Sequence, residues 1–204
     1  MSRTTCRIAP PLALFSALAL TACATTPGPV EVTRFVAPEA ASQLGQGTIF
    51  VASAQDGEDN SLALMPYKSA VAEELRSLGY VETDRASADQ VATVRIERYV
   101  LTAQGRRSPV SVGVGGRTGS YGSGVGVGIG INLGGGERDK VGSELSVTIR
   151  SAASQANLWE GRADLRVPDN SELAPAQANA QTLAAALFSD FPGNNGETIE
   201  IEVP

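Results

Sequence analysis

Between residues 48 and 192 the apolar positions switch repeatedly between a period of two and a helical period, and each switch predicts an element. Residues 48–54 (TIFVASA) are a β-branched and aromatic run that predicts a strand. A polar turn over 55–61 follows. Pro66 then suits a first helical turn, where its missing N–H costs nothing. Tyr67, Val71, Leu75 and Leu78 recur at spacings of four, four and three and make one apolar stripe. Gly79 closes this run, because glycine adopts a left-handed cap cheaply. An amphipathic helix is therefore predicted over 66–78.

Residues 80–82 predict a short strand and 90–101 a longer one. In the longer run Val94 and Ile96 share one face while Tyr99 and Leu101 share the other, which implies a bulge or a change of partner. Leu145, Val147 and Ile149 alternate strictly with Glu144, Ser146, Thr148 and Arg150. Trp159, Ala163, Leu165 and Val167 alternate in the same way, with Gly161 among them, and 151–157 supplies the turn of a hairpin. One side of that hairpin is expected to face a core and the other water. Residues 175–190 predict a second helix, with Ala176, Ala180, Leu183, Leu187 and Phe191 along its buried side and Phe191-Pro192-Gly193 as its stop. Glu200-Ile201-Glu202-Val203 alternates acid and aliphatic, as either an edge strand or a solvated tail over 193–204. The expected fold is α+β: a two-layer sandwich, a mostly antiparallel sheet with two helices on one face.

A glycine-rich insert interrupts this pattern. Half of residues 113–136 are glycine, and Val125, Val127, Ile129, Ile131 and Leu133 alternate with glycine or Asn132. Val110, Val112 and Val114 repeat the pattern before a turn over 117–123, so a long β-hairpin is the simplest geometry. The favoured expectation is a loosely ordered hairpin extending the main sheet. A self-association surface competes with it, since an apolar, uncharged edge invites pairing. So does a membrane-inserting hairpin of an oligomeric pore, because a spanning strand needs only ~10 residues. Gly122, Gly126, Gly130 and Gly134 also have the four-residue spacing of touching membrane helices. Helix is the poorer expectation, because each interior glycine costs about 1 kcal/mol relative to alanine. No phosphate-loop or hydrolase-elbow motif occurs in the insert.

Ahead of the domain, Arg3 and Arg7 precede an apolar stretch over 8–20 that is too short to span a bilayer. Small residues Thr21 and Ala22 then lead into Cys23. Leu20-Thr21-Ala22-Cys23 resembles the lipobox of bacterial lipoproteins, with residues 1–22 as signal peptide and Cys23 as the lipidated first residue. The resemblance implies a diacylglyceryl group on the Cys23 thiol and a third acyl chain, such as palmitate, on its amino group. Two or more chains make such anchoring stable, at roughly 0.8 kcal/mol per buried methylene. Ala24 follows where inner-membrane retention mainly uses Asp, so the resemblance points to the periplasmic side of the outer membrane. Residues 24–41, with Pro27, Pro29 and Pro38, read as a tether, so that 23–47 would be lipidated N-terminus plus linker and 48–192 the domain.

Removing the signal takes away two arginines and no acid, which leaves 14 basic against 22 acidic residues and a net charge of −8. That argues against a nucleic-acid partner or adsorption to an anionic membrane, since both need positive charge. Cys6 leaves with the signal, so no thiol remains for a disulfide or a metal beyond Cys23 itself. The 182 mature residues suit one domain with loops and tails.

Chemistry is sparse. The chain has no histidine, which removes the usual base for a nucleophile and the commonest metal ligand. Asp56, Glu58, Asp59 and Asn60 share a turn but lack the ligand order of a calcium loop, so a solvated turn is favoured. Glu73 and Glu74 read as the wet face of the first helix. Glu160 and Asp164 lie on the strand face opposite Trp159 and read as solvated sheet positions. Arg106 and Arg107 read as gatekeepers of the insert. Trp159 could line a pocket for an acyl chain or glycan, but its place in the alternating core set favours packing. Neither catalytic residue, cofactor nor metal is expected.

Leu75-x-x-Leu78-Gly79-Tyr80, then Ala88-Asp89, then residues 158–163 (LWEGRA), then Leu187-Phe188-x-x-Phe191-Pro192 follow one another in order. In these features the chain resembles the bacterial lipoprotein family catalogued as domain of unknown function 4136, over 48–192 apart from the insert. The resemblance implies fold and location and promises no activity. The expected role is a non-catalytic binding or envelope-assembly and maintenance module, held to the membrane through Cys23. Its expected partner is an unidentified envelope protein or lipid, with self-association through 113–136 as a further option. The alternatives are an oligomeric pore or secretion-channel subunit using the glycine-rich hairpin, and a histidine-free envelope hydrolase.

Overall fold

The alternating runs on either side of residue 155 form the long antiparallel hairpin at the centre of a sheet, β6 (Lys140–Ser151) and β7 (Asn157–Pro168). A computed structural model of the chain describes residues 27–55, 61–101, 107–109 and 140–203. Around the hairpin lie β1 (Val30–Val36), β2 (Thr48–Ser53), α1 (Met65–Ser77), β3 (Val81–Glu82), β4 (Gln90–Leu101), β5 (Arg107–Pro109), α2 (Ala176–Phe188) and β8 (Glu197–Ile201). The fold is α+β. Its mixed sheet has the order β3-β2-β4-β6-β7-β1-β8, and β5 pairs with the end of β4. β2 runs parallel to β3 and β4, and the other pairings are antiparallel.

Period two accounts for the packing. Val94, Leu145, Val147, Ile149, Trp159, Ala163 and Leu165 are buried and join Tyr67, Val71 and Leu75 of α1 and Leu183 and Leu187 of α2 in one core. The helices also pack on each other. Gly161 holds an inward position whose space is taken by a neighbour: a Cβ there would lie 2.3 Å from Cη2 of Trp159 and 2.8 Å from Cδ1 of Leu187. The indole stacks on Phe188 at 5.4 Å and tilts against Phe191 at 5.2 Å. Its Nε1 donates to the Pro192 carbonyl at 2.9 Å. Trp159 is 1% exposed and belongs to the core.

The face change in β4 is a change of partner. β4 keeps continuous register with β6 over its whole length, while on its other side β2 pairs over residues 90–94 and β5 over 99–101. Among the described residues the register shift lies elsewhere, between Ile149 and Arg150 of β6 against β7. α1 ends with paired bonds from Gly79 N to the Arg76 carbonyl and from Tyr80 N to the Leu75 carbonyl. Gly79 has a φ of +106°, and a Cβ there would meet the Gly45 carbonyl oxygen at 2.8 Å, so both backbone and space ask for glycine.

The linker reading of residues 24–41 is overturned in part: Val30–Val36 is a strand seated between β7 and β8. Val30, Val32 and Arg34 are buried while Glu31 and Phe35 are exposed, a period-two pattern masked by the arginine and the flanking prolines. The domain therefore begins well before Thr48. The end of the chain resolves to the edge-strand option, as β8 on β1. The insert over 113–136, Val110, Val112 and Val114, the acidic turn over 56–60, Arg106 and Cys23 lie outside the described residues.

Candidate functional site

Most residues that carry the sequence motifs are occupied with holding the fold. Asp89 ties the start of β4 to that of β2: its Oδ2 accepts from Thr48 N at 3.1 Å and Thr48 Oγ1 at 2.7 Å, and Asp89 N donates to Thr48 Oγ1 at 2.9 Å. Those bonds favour the ionised form and hold the Asp89 carboxyl below its ordinary range. Tyr80 donates its hydroxyl proton to Gln90 Oε1 at 3.1 Å.

Arg34 was invisible to sequence reasoning as anything but linker. It is 1% exposed, and its Nε donates to the Leu187 carbonyl and Nη2 to the Ala186 carbonyl, both at 3.1 Å. Nη2 also reaches Ser189 Oγ at 3.0 Å. A cation there meets the open carbonyls and partial negative charge at the end of α2. Burial pulls its pKa down, and Asp190 and Glu197 push back up. A second buried polar group joins the helices, with Tyr67 donating to Asn179 Oδ1 at 2.9 Å and Asn179 Nδ2 donating to the Leu173 carbonyl at 3.2 Å. Both are structural polar contacts between elements.

Charged residues line the face of the sheet opposite the core. There Glu97, Glu144, Asp164, Glu31 and Glu200 stand directly opposite one another on successive strands, a row of five carboxylates. Like charges so placed oppose pairing. Part of that cost is met by ion pairs from Arg95 to Glu97 and from Arg166 Nε to Asp164 Oδ1, the latter at 2.7 Å. Asp164 also accepts from the Tyr99 hydroxyl at 2.5 Å, and Arg166 Nε donates to the same hydroxyl at 3.4 Å. Burial and the neighbouring carboxylate push the Tyr99 hydroxyl pKa up, so it stays a neutral donor. The Tyr99 ring lies over Gly142, where a Cβ would come 2.1 Å from Cε2. Glu160 pairs with Arg162 at 3.1 Å. Asp164 is thus less solvated than its alternating position predicts, with a side chain 15% exposed. Glu73 is exposed on α1, while Glu74 is half-buried, and desolvation with the nearby Glu73 raises its pKa.

Two open depressions flank this architecture. One, near 230 Å³, is walled by Phe35, Leu158, Trp159 and Asn195. The other, near 420 Å³, lies between α1 and the edge of β2. Among the described residues no group of three or more acidic or thiol side chains could hold a metal ion. No described helix is long and apolar enough to cross a membrane.

Residues 37–193 match the profile of the family described as domain of unknown function, DUF4136. The chain belongs to the DUF4136 family. No curated protein matches it. Among solved structures, a PelC dodecamer from Paraburkholderia phytofirmans is similar at 12% identity and a TM-score of 0.43, covering 78% of this chain and 95% of that one. A PDZ domain protein from Parabacteroides distasonis is similar at 11% identity and a TM-score of 0.49, covering 86% of this chain and 39% of that one. Within the matched residues, Gly79, Asp89, Trp159 and Phe188 position elements of the fold.

Proposed function

We propose that this DUF4136 chain is an outer-membrane-anchored periplasmic lipoprotein that works by binding, as a non-catalytic module of envelope assembly or maintenance. Cys23 is the proposed lipid-bearing residue. The observation that carries the reading is the spacing between that cysteine and the sheet. Six residues separate Cys23 from Val30, and Val30 is already buried in an inner strand. A fully extended link of that length reaches only ~20 Å, so the anchor and the domain act as one unit close to the lipid surface. In this reading the fold is a two-layer sandwich of mostly antiparallel sheet, whose helices cover one face. The other face, with its exposed charges and Phe35 46% exposed, is offered to an envelope protein or lipid headgroup.

The test is Cys23→Ser in the intact cell. The substituted protein is expected to leave the envelope fraction and to lose its chemical crosslinks to envelope proteins. Unchanged sedimentation with membranes would refute the anchor. Loss of membrane association with every crosslink retained would refute the claim that binding depends on placement at the lipid surface.

A further inference from the structure

An arginine stands at each end of α2, and only one of them is matched. At the C-terminal end Arg34 meets open carbonyls, and Asp190 and Glu197 lie near enough to oppose the effect of its burial. At the other end Arg98, on the inward face of β4, donates from Nη2 to the Ala174 carbonyl at 2.6 Å, one residue before the Pro175 cap. The start of a helix carries partial positive charge, so a cation there is opposed rather than helped. Among the described residues no carboxylate is ion-paired with Arg98. Glu97 and Glu144, its nearest acids along the strands, belong to the outer face, and Glu172 ahead of α2 is exposed.

Donors without acceptors collect at the same place. α2 has no side-chain cap and no acid in its first turn. The Pro175 carbonyl accepts from Asn179 N, and among the described residues the N–H groups of Ala176, Gln177 and Ala178 meet no acceptor. Ser143 stands directly opposite Arg98 on the inward face and is 0% exposed. Its hydroxyl has no partner, and neither has the buried Nε–H of Arg98. Unpaired buried donors are costly, most of all on a charged group. Pro175 and Gln177 are exposed, and Ala174, Ala176 and Ala178 are small and half-buried, so the helix start is reached from solvent.

We propose that the start of α2, together with Arg98 and Ser143, binds a phosphate group. A phosphate suits these donors better than a single-atom anion or a carboxylate. It offers several oxygens at once to a guanidinium fork, a set of helix N–H groups and a hydroxyl. Bound there, it supplies the negative charge that the cation and the helix end both lack. The site lies at the end of the sheet where β1 begins. Arg98, Ser143 and Val30 each stand one residue beyond the row that joins Glu97 and Glu144 to Glu31, on the same side of it. On the proposed reading of Cys23 as the anchor, the phosphate that the leash brings nearest is that of a lipid headgroup.

Calorimetric titration of the full chain in detergent tests this, with inorganic phosphate and with glycerophosphoglycerol, a phospholipid headgroup without its acyl chains. One ligand is expected to bind per chain. Arg98→Gln keeps a donor for the Ala174 carbonyl but removes the charge, and it is expected to weaken binding about ten-fold, the worth of a hydrogen bond to a charged group. Ser143→Ala is expected to weaken binding as well, whereas a hydroxyl with a merely structural role would leave the affinity unchanged. Arg76→Gln, which removes an exposed cation at the end of α1, is expected to change nothing. The emission of Trp159, the sole tryptophan, reports whether each variant is folded. Absence of binding by both probes, affinity undiminished by Arg98→Gln or by Ser143→Ala, or an equal loss with Arg76→Gln would each overturn the proposal. Where Arg98→Gln does not fold, Ser143→Ala carries the test alone. Tighter binding of the headgroup than of free phosphate supports the lipid source, and the reverse overturns that source. The titration does not depend on acylation of Cys23, so failure of the site and failure of the anchor are told apart.

Discussion

Gly161 and Arg34 show how single positions in this chain are set by what they must leave room for or satisfy. At Gly161 the missing side chain is filled by the Trp159 indole and the end of Leu187, so any Cβ overlaps a packed ring. Gly161→Ala is expected to destabilise the fold by about 1–3 kcal/mol, the usual cost of forcing atoms into a filled core. Denaturant unfolding followed by the single tryptophan would measure it, and an unchanged midpoint would mean that the indole does not occupy that space. The sequence flagged Gly161 only as a gap in an alternating strand. What fills the gap comes from two residues earlier and from a helix more than twenty residues later, which no local pattern contains. Arg34 was hidden for a related reason. A cation on an inward position breaks the apolar alternation by which strands are recognised, and its partners are carbonyls at the end of α2.

Among the elements, those built on local rhythm were legible and those built on distant contacts were not. β4 was predicted over its observed span because its β-branched run is long, and the change of face within it proved to mark the handover from β2 to β5. α1 and α2 followed from their stripes, with α1's end fixed by Gly79. β1 was missed because prolines before and after it resemble a linker, and only its pairing with β7 and β8 makes it a strand. The Thr48–Asp89 clamp joins β2 to β4 and gives this level its own prediction. The Asp89 pKa is depressed in the fold, so its contribution is present above its unfolded value and lost as pH falls through the folded one. Asp89→Asn is therefore expected to lower the melting temperature at pH 7, and the gap to wild type is expected to shrink as pH falls through and below the ordinary carboxylate range. Thermal melts across that range would check it. A gap that stays constant into acid would mean that the carboxylate charge is not what holds the clamp.

For the whole molecule, the structure turns the expected long tether into a short leash. With β1 inside the sheet, the distance from Cys23 to the folded domain is a few residues rather than more than twenty, and in the proposed reading an acylated Cys23 would hold the domain at the lipid surface. Under that proposal the charged sheet face and the acidic β8 edge would both lie within one protein's width of the membrane. The acidic edge was one of two readings of the chain's end and the hairpin's outer side was expected to face water, but the row of carboxylates was not legible, because it is made by register between strands far apart in sequence. The row of Glu97, Glu144, Asp164, Glu31 and Glu200 spans more than 160 positions of chain. The central claim, an acylated cysteine joined almost directly to an inner strand, is tested most directly by mass spectrometry of the protein's first peptide, extracted from envelopes. The predicted peptide begins at Cys23, carries three acyl chains and continues through Ala24. A first residue upstream or downstream of Cys23, or an unmodified thiol there, would contradict it.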